Sequence, residues 1–207
     1  MPTNDEPLVE RSLRAFADDL ASESAAPGGG AAAAYAGALG AALAAMVARI
    51  SSRKAEPGKH AALINEADTL RAELMSLVDE DSAAYGRVME AMKLPRTTEA
   101  EKSARTDRLQ HALVGASRVP LRIAVASRHL LAVCERCLDA ASPSIVSDIG
   151  VAALMCEAAL RGAALSVMVN LAYLHDATQV KALSEELDRS LDGADTQRRR
   201  ITDFVES

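Results

Sequence analysis

The chain has 207 residues, 49% of them hydrophobic and 25% charged, which suits one globular domain over 1–207 and leaves little room for a second. A net charge of -6 and a pI near 5.3 argue against nucleic-acid binding, which depends on neutralising phosphates. Aromatic residues make up only 2% and Trp is absent, so the core must come from Ala, Leu, Val, Ile and Met, a composition of closely packed helices rather than of a sheet.

In chain order, MPTNDEPLVERS is too polar and acidic for a signal peptide. Leu8, Leu13, Phe16, Ala17 and Leu20 have helical spacing within 7–22. SAAPGGG breaks that helix, and an alanine-rich tract then predicts a second one to about Arg53. Residues 31–48 are long enough to span a bilayer, yet they are mostly alanine and lack an aromatic belt or basic flanks on both sides, so a membrane span is not expected. Pro57 and Gly58 stop the chain before a long helix over 60–92. Thr98 and Glu101 form a capping-box pattern opening a polar helix over 99–117, Pro120 is expected to kink or restart it, and 121–140 is again helical. Asp148 is placed to cap an apolar helix over 149–174. The last helix, 178–205, carries Val180, Leu183, Leu187, Leu191, Ala194, Ile201 and Val205 on one stripe. No alternating run is long enough for a strand, so the expected fold is an all-α bundle.

Cys134, Cys137 and Cys156 are an odd, sparse set that suits a reducing cytoplasm. The C-x-x-C at 134–137 has no second pair and no βαβ surroundings, so it reads as helix-packing thiols, and no metal site is expected. The basic run 198–200 is flanked by Asp195, Asp203 and Glu206 and reads as a solvated helix face.

Polar residues at apolar positions carry the functional signal. Steps of four and three from His60 give Leu63, Ala67, Leu70, Leu74, Leu77, Asp81, Ala84, Val88 and Ala91, a seam with Asp81 as its only charge. A carboxylate there is either satisfied by an Arg or a cap, or held in a cleft for proton transfer or a cationic substrate. The next apolar helix gives Asp148, Val151, Met155, Ala158, Gly162, Leu165, Val169 and Ala172, with Glu157 and Arg161 four apart as an expected ion pair. In the alanine tract, the rows Ala33, Gly37, Ala41, Ala45 and Ala36, Gly40, Ala44, Ala48 permit close backbone approach, in a buried helix or at a dimer interface. Gly28, Gly29 and Gly30 can present backbone N–H groups at a helix start, where anions are favoured, although the P-loop lysine and a preceding strand are absent.

Four segments in register, SAAPGGGAAAAYAGALGAALAAMVARI, LVDEDSAAYGRVMEAMKLPRTTEAEKSAR, the VPL at 119–121 and SDIGVAALMCEAALRGAALSVMVNL, resemble the formimidoyltetrahydrofolate cyclodeaminase/methenyltetrahydrofolate cyclohydrolase family over essentially the whole chain. The resemblance implies an all-α homodimer with a tetrahydrofolate derivative bound in a cleft near the subunit interface, no tightly bound cofactor, and a cytoplasmic enzyme. It is closer to standalone bacterial members, which look like cyclohydrolases, than to members fused to a formiminotransferase, which are cyclodeaminases.

By the same resemblance, Gly28, Gly29 and Gly30 match the glycine loop, Asp79 and Asp81 the paired acids, Lys54 a substrate-binding lysine, Asp148 the acid of Ser-Asp, and Asn170 a late asparagine. Asp81 is expected as general base or acid and Asp148 as orienting or charge-stabilising; Lys54 and the glycine N–H groups are expected to hold the glutamate tail. Departures fall at Arg49 and Arg53 (in RISSRK, for Asn-Leu-Thr-x-Gly-Lys), at Ser142 and Ser166 (for asparagines) and at Arg96 (for lysine). A folate-binding helical dimer without catalysis is the rival that these departures suggest.

Overall fold

A computed structural model describes residues 6–53 and 55–207. After a 3-10 turn, Leu8–Glu10, come α1 (Leu13–Leu20), α2 (Gly29–Ser52), α3 (Ala61–Lys93), α4 (Glu99–Leu138), α5 (Val146–Leu171), α6 (Ala177–Leu191) and α7 (Ala194–Glu206), with no strand among the described residues.

The long helices α2 to α5 form an antiparallel four-helix bundle. Gly30 of α2 abuts Asp81 of α3 while Gly37 abuts Leu74, so these two helices run in opposite directions. Arg122 on α4 pairs with Glu80 on α3, and Arg136 with Glu66, which sets the next pair. Gln110 and Asn170 tie α4 to the C-terminal end of α5. The ring closes through α2 and α5, where glycines set the spacing. A Cβ on Gly40 would lie 3.1 Å from the Ala152 carbonyl oxygen, and one on Gly162 would lie 3.3 Å from the Ala33 Cβ. The alanine rows of α2 are the inner surface of the bundle, with Ala36 half-buried and the rest buried. Both α2 and α5 are long and apolar enough to cross a membrane, but α2 is packed against α3, α4 and α5.

The Thr98 and Glu101 capping box is formed, and the Glu157 and Arg161 pair is closed at 2.9 Å. The α3 seam is buried at Ala67, Leu70, Leu74, Leu77, Ala84, Val88 and Ala91.

Four expectations are corrected. The 7–22 helix is two pieces: the 3-10 turn, then α1, whose cap Ser12 accepts from the Ala15 N–H. The 178–205 helix breaks at Asp192 and Gly193, where Gly193 takes φ 67°, a left-handed conformation open to glycine. Asp148 is not the cap of α5: Ile145 holds that position without a side-chain bond, and Asp148 lies in the first turn. Finally, of the kink or restart expected at Pro120, the restart does not occur: Pro120 lies inside α4, a helix of 40 residues. A helical proline leaves the carbonyl four residues earlier without its donor. That carbonyl belongs to Ala116, and Asn170 Nδ2 donates to it at 2.7 Å from α5. A side chain 54 positions away restores the bond that the proline removes.

Candidate functional site

Where α2 begins, the four long helices enclose a cavity of about 360 Å³. Gly28, Gly29 and Gly30 supply one wall, Asp81, Ser82 and Tyr85 of α3 a second, Ala116 of α4 the floor, and Leu165, Ser166, Val169 and Asn170 of α5 the far side. Among the described residues that line it, Asp81 alone is charged.

Asp81 is half-buried. Loss of hydration raises its carboxyl pKa above the ordinary 3.8, against the opposing effect of the Ala31 backbone N–H in the first turn of α2. No cation pairs with it among the described residues, so the reading of Asp81 as a satisfied ion-pair member fails. Gly30 explains how the carboxylate comes so close: a Cβ there would sit 2.2 Å from Asp81 Oδ1. Any side chain at position 30 must displace the carboxylate.

Tyr85, one turn beyond Asp81, presents a half-exposed ring to the cavity. Sequence reasoning missed it, although its i+4 spacing from Asp81 was there to be read. Ser82 was also missed: its hydroxyl is buried and makes no hydrogen bond. Ser166, one of the departures from the family pattern, faces the cavity and bonds the Gly162 carbonyl weakly, at 3.5 Å. Asn170 has one amide hydrogen committed to Ala116.

The remaining expected residues are not gathered here. Asp79 is 200° around α3 from Asp81 and accepts from the Leu8 backbone N–H at 2.6 Å, anchoring the N-terminal turn. The two acids therefore do not form a pair. Lys54 lies outside the described residues; Ser52, which ends α2, is about 35 Å along the helix from Gly29. Asp148 lies 18 residues before Ser166 on α5, about 27 Å away along the axis. Ser142 bonds Ser144 at the surface, and Arg49 pairs with Asp68, both far from the cavity.

Residues 12–189 match the formiminotransferase-cyclodeaminase family, and the chain belongs to it. It is 36% identical to a methenyltetrahydrofolate cyclohydrolase of Methylorubrum extorquens, over 95% of this chain and 96% of that one. It is 34% identical to the formimidoyltransferase-cyclodeaminase of Rattus norvegicus over 97% of its own length, but spans only 38% of that longer protein. The fold superposes on the crystal structure of formiminotetrahydrofolate cyclodeaminase from Thermotoga maritima with a TM-score of 0.83, at 29% identity, covering 96% of this chain and 98% of the other.

Proposed function

We propose that the chain is a methenyltetrahydrofolate cyclohydrolase, hydrolysing the methenyl bridge to 10-formyltetrahydrofolate in one-carbon metabolism, as a cytoplasmic homodimer. The observation that carries the reading is an unpaired, half-buried carboxylate, Asp81, set against a helix start in a cavity with no other charge on its described walls. The relative of matching extent named for this reaction supports it, and three free, buried cysteines suit a reducing compartment.

The substrate's reacting carbon belongs to a delocalised cation, and Asp81 favours that cation electrostatically. As water adds to the carbon, Asp81 takes one of its protons, leaving a neutral tetrahedral adduct. Breaking the bond to N5 needs a proton on that nitrogen, and the newly protonated Asp81 carries one. The second hydroxyl proton leaves as the formyl carbonyl forms, so one proton is released per turnover. A raised pKa suits a group that must both accept and return a proton near neutral pH. Tyr85 supplies a ring face for a planar heterocycle, Asn170 and Ser166 offer polar contacts, and the N–H groups of residues 28–30 face an anionic group. Asp148, Asp79 and Lys54 remain candidate contributors by family likeness. Substrate and water suffice for this chemistry, so no tightly bound cofactor is proposed.

The likeness to the Thermotoga enzyme supports a second reading, cyclodeaminase action, in which N10 attacks the formimino carbon and an acid protonates the leaving ammonia. Absorbance of methenyltetrahydrofolate with and without protein, run beside ammonia release from formiminotetrahydrofolate, separates the two. Accelerated decay with no ammonia supports the cyclohydrolase, and ammonia release supports the alternative. Binding without either reaction supports a non-catalytic folate-binding dimer.

A further inference from the structure

Away from the cavity at the start of α2, the outer face of α4 carries positive charge that the chain leaves unanswered. Four arginines of α4 have partners: Arg105 donates to the Met92 carbonyl and Arg128 to Gln197, while Arg122 and Arg136 pair with Glu80 and Glu66. Arg108 and Arg118 are exposed and have no partner among the described residues, and neither has Arg87 of α3. In a chain of net charge -6, three uncommitted guanidiniums on one surface are a local reversal of sign.

Two cavities flank this stretch of α4. One, of about 410 Å³, lies between α3 and α4, with Arg87, Glu90, Arg108 and His111 on its walls. The other, of about 550 Å³, lies between α4 and the start of α6, with His111, Arg118, His175 and Asp176 on its walls. Neither shares a lining residue with the cavity that holds Asp81. The acids do not cancel the charge. Asp176 is committed as the cap of α6, accepting from the backbone N–H groups of Thr178 and Gln179. Glu90 is left against Arg87, Arg108 and Arg118, and among the described residues no ion pair joins it to any of them.

His111 and Gly115 line both cavities. A glycine inside a helix costs about 1 kcal/mol relative to alanine, and no packing contact requires one here, since a Cβ at position 115 would meet no atom within 4 Å. The missing side chain leaves bare backbone as a saddle between the cavities, so one ligand can lie across α4 and reach both. Arg108 and Arg118 are ten residues apart, about 15 Å along the helix. The register set by Arg122 on Glu80 and by Arg105 on Met92 brings Arg87 level with the stretch between His111 and Gly115. A ligand matching this spacing is small, extended and several times negative. A chain of phosphates has that charge density, and its oxygens match the guanidinium fork bidentately.

We propose that this groove binds an oligophosphate, free or carried on a nucleotide, laid across α4 at Gly115 between Arg87 and Arg108 on one side and Arg118 on the other. The site goes beyond the cyclohydrolase reading, because no residue of the Asp81 cavity takes part in it.

Calorimetric titration of the full chain with tripolyphosphate tests it. At about 50 mM salt, binding is expected with a Kd below about 1 mM, weakening as salt is raised. Arg108→Ala and Arg118→Ala should each weaken it by about 10-fold, and Gly115→Leu, which fills the saddle, by at least about as much. Arg122→Ala, on the same helix but paired with Glu80, should change it by less than about 2-fold. Arg108 and Arg118 are exposed, so these variants are expected to melt as the parent does. ATP separates the two sources: binding at least as tight as that of tripolyphosphate points to a nucleotide, and weaker binding to a free oligophosphate. No binding of tripolyphosphate at about 10 mM overturns the inference. So does unchanged affinity in the Arg108→Ala/Arg118→Ala double variant, or citrate, a tricarboxylate, binding as tightly as tripolyphosphate. Without oligophosphate, all these variants should turn over methenyltetrahydrofolate as the parent does, and a chain with no such turnover that still binds tripolyphosphate through Arg108 and Arg118 keeps this site while losing the cyclohydrolase reading.

Discussion

The two ends of α2 treat charge in opposite ways. At its C-terminal end Arg49 meets Asp68, which also bonds Arg71, in a solvated cluster that holds the Asp68 carboxyl below the usual carboxylate range, through Arg49 first. At its N-terminal end, Asp81 has lost water and gained only a backbone N–H, and its pKa moves up. An exposed, paired charge contributes little to the fold or to chemistry. A half-buried, unpaired one destabilises the native state and is kept ready to exchange a proton. The contrast explains why the two ends of one helix are expected to respond so differently to mutation.

The strongest break in that contrast is Asp81→Asn, which keeps an acceptor for the Ala31 N–H and removes the charge. Turnover of methenyltetrahydrofolate is expected to fall by about 10²- to 10⁴-fold, while the melting temperature at pH 7 rises by about 2–4 °C. The sign follows from linkage. A carboxyl whose folded pKa lies above its unfolded value binds its proton more tightly in the native state, so its stabilising contribution is full below the unfolded value and is lost as pH rises through the folded one. Kinetically the direction reverses: a base must be ionised, so kcat/KM should fall as pH drops through the raised pKa, and this limb should disappear in Asp81→Asn.

Gly30→Ala comes next. The new methyl displaces the carboxylate, and activity should drop by about 10²-fold, in line with a misplaced catalytic group, with a stability loss of about 1–3 kcal/mol from overpacking in denaturant titration. Asn170→Ala leaves the Ala116 carbonyl without a donor and should destabilise by about 1–3 kcal/mol. At the solvated end, Arg49→Ala should shift stability by less than about 1 kcal/mol and leave turnover unchanged. If Arg49→Ala matched Gly30→Ala in its effect on activity, the distinction between the two ends would collapse.

The bundle and its most informative residue were legible because both rest on period 3.6. Asp81 interrupts the α3 seam, and the interruption is visible in the order of residues alone. What periodicity cannot give is direction. Helix α5 is apolar nearly all round, so choosing the row 148–172 as its inner seam was arbitrary; the buried row runs through Ile149, Ala152, Cys156, Leu160, Ala163 and Val167. Asp79 is grouped with Asp81 by the family resemblance alone, and their spacing of two puts them on opposite sides of a helix. The break at Gly193 had a signal in Asp192-Gly193, overridden by the continuing stripe. That α4 continues through Pro120 has a non-local reason: the Ala116 carbonyl takes its hydrogen bond from Asn170, on another helix.

That rescue also constrains the order in which this sequence can change. As long as position 120 is proline, Asn170 is needed for α4 as well as for the cavity wall, and most replacements at 170 are penalised before any effect on substrate is felt. Once Pro120 gives way to a residue with an N–H, Ala116 regains a donor within its own helix and the amide of Asn170 is released to face the cavity alone. Mutations at 120 and 170 should therefore be non-additive in stability, with Asn170→Ala far milder in a Pro120→Ala background. A proline that never touches substrate thus decides which substitutions on the cavity wall are open to this lineage.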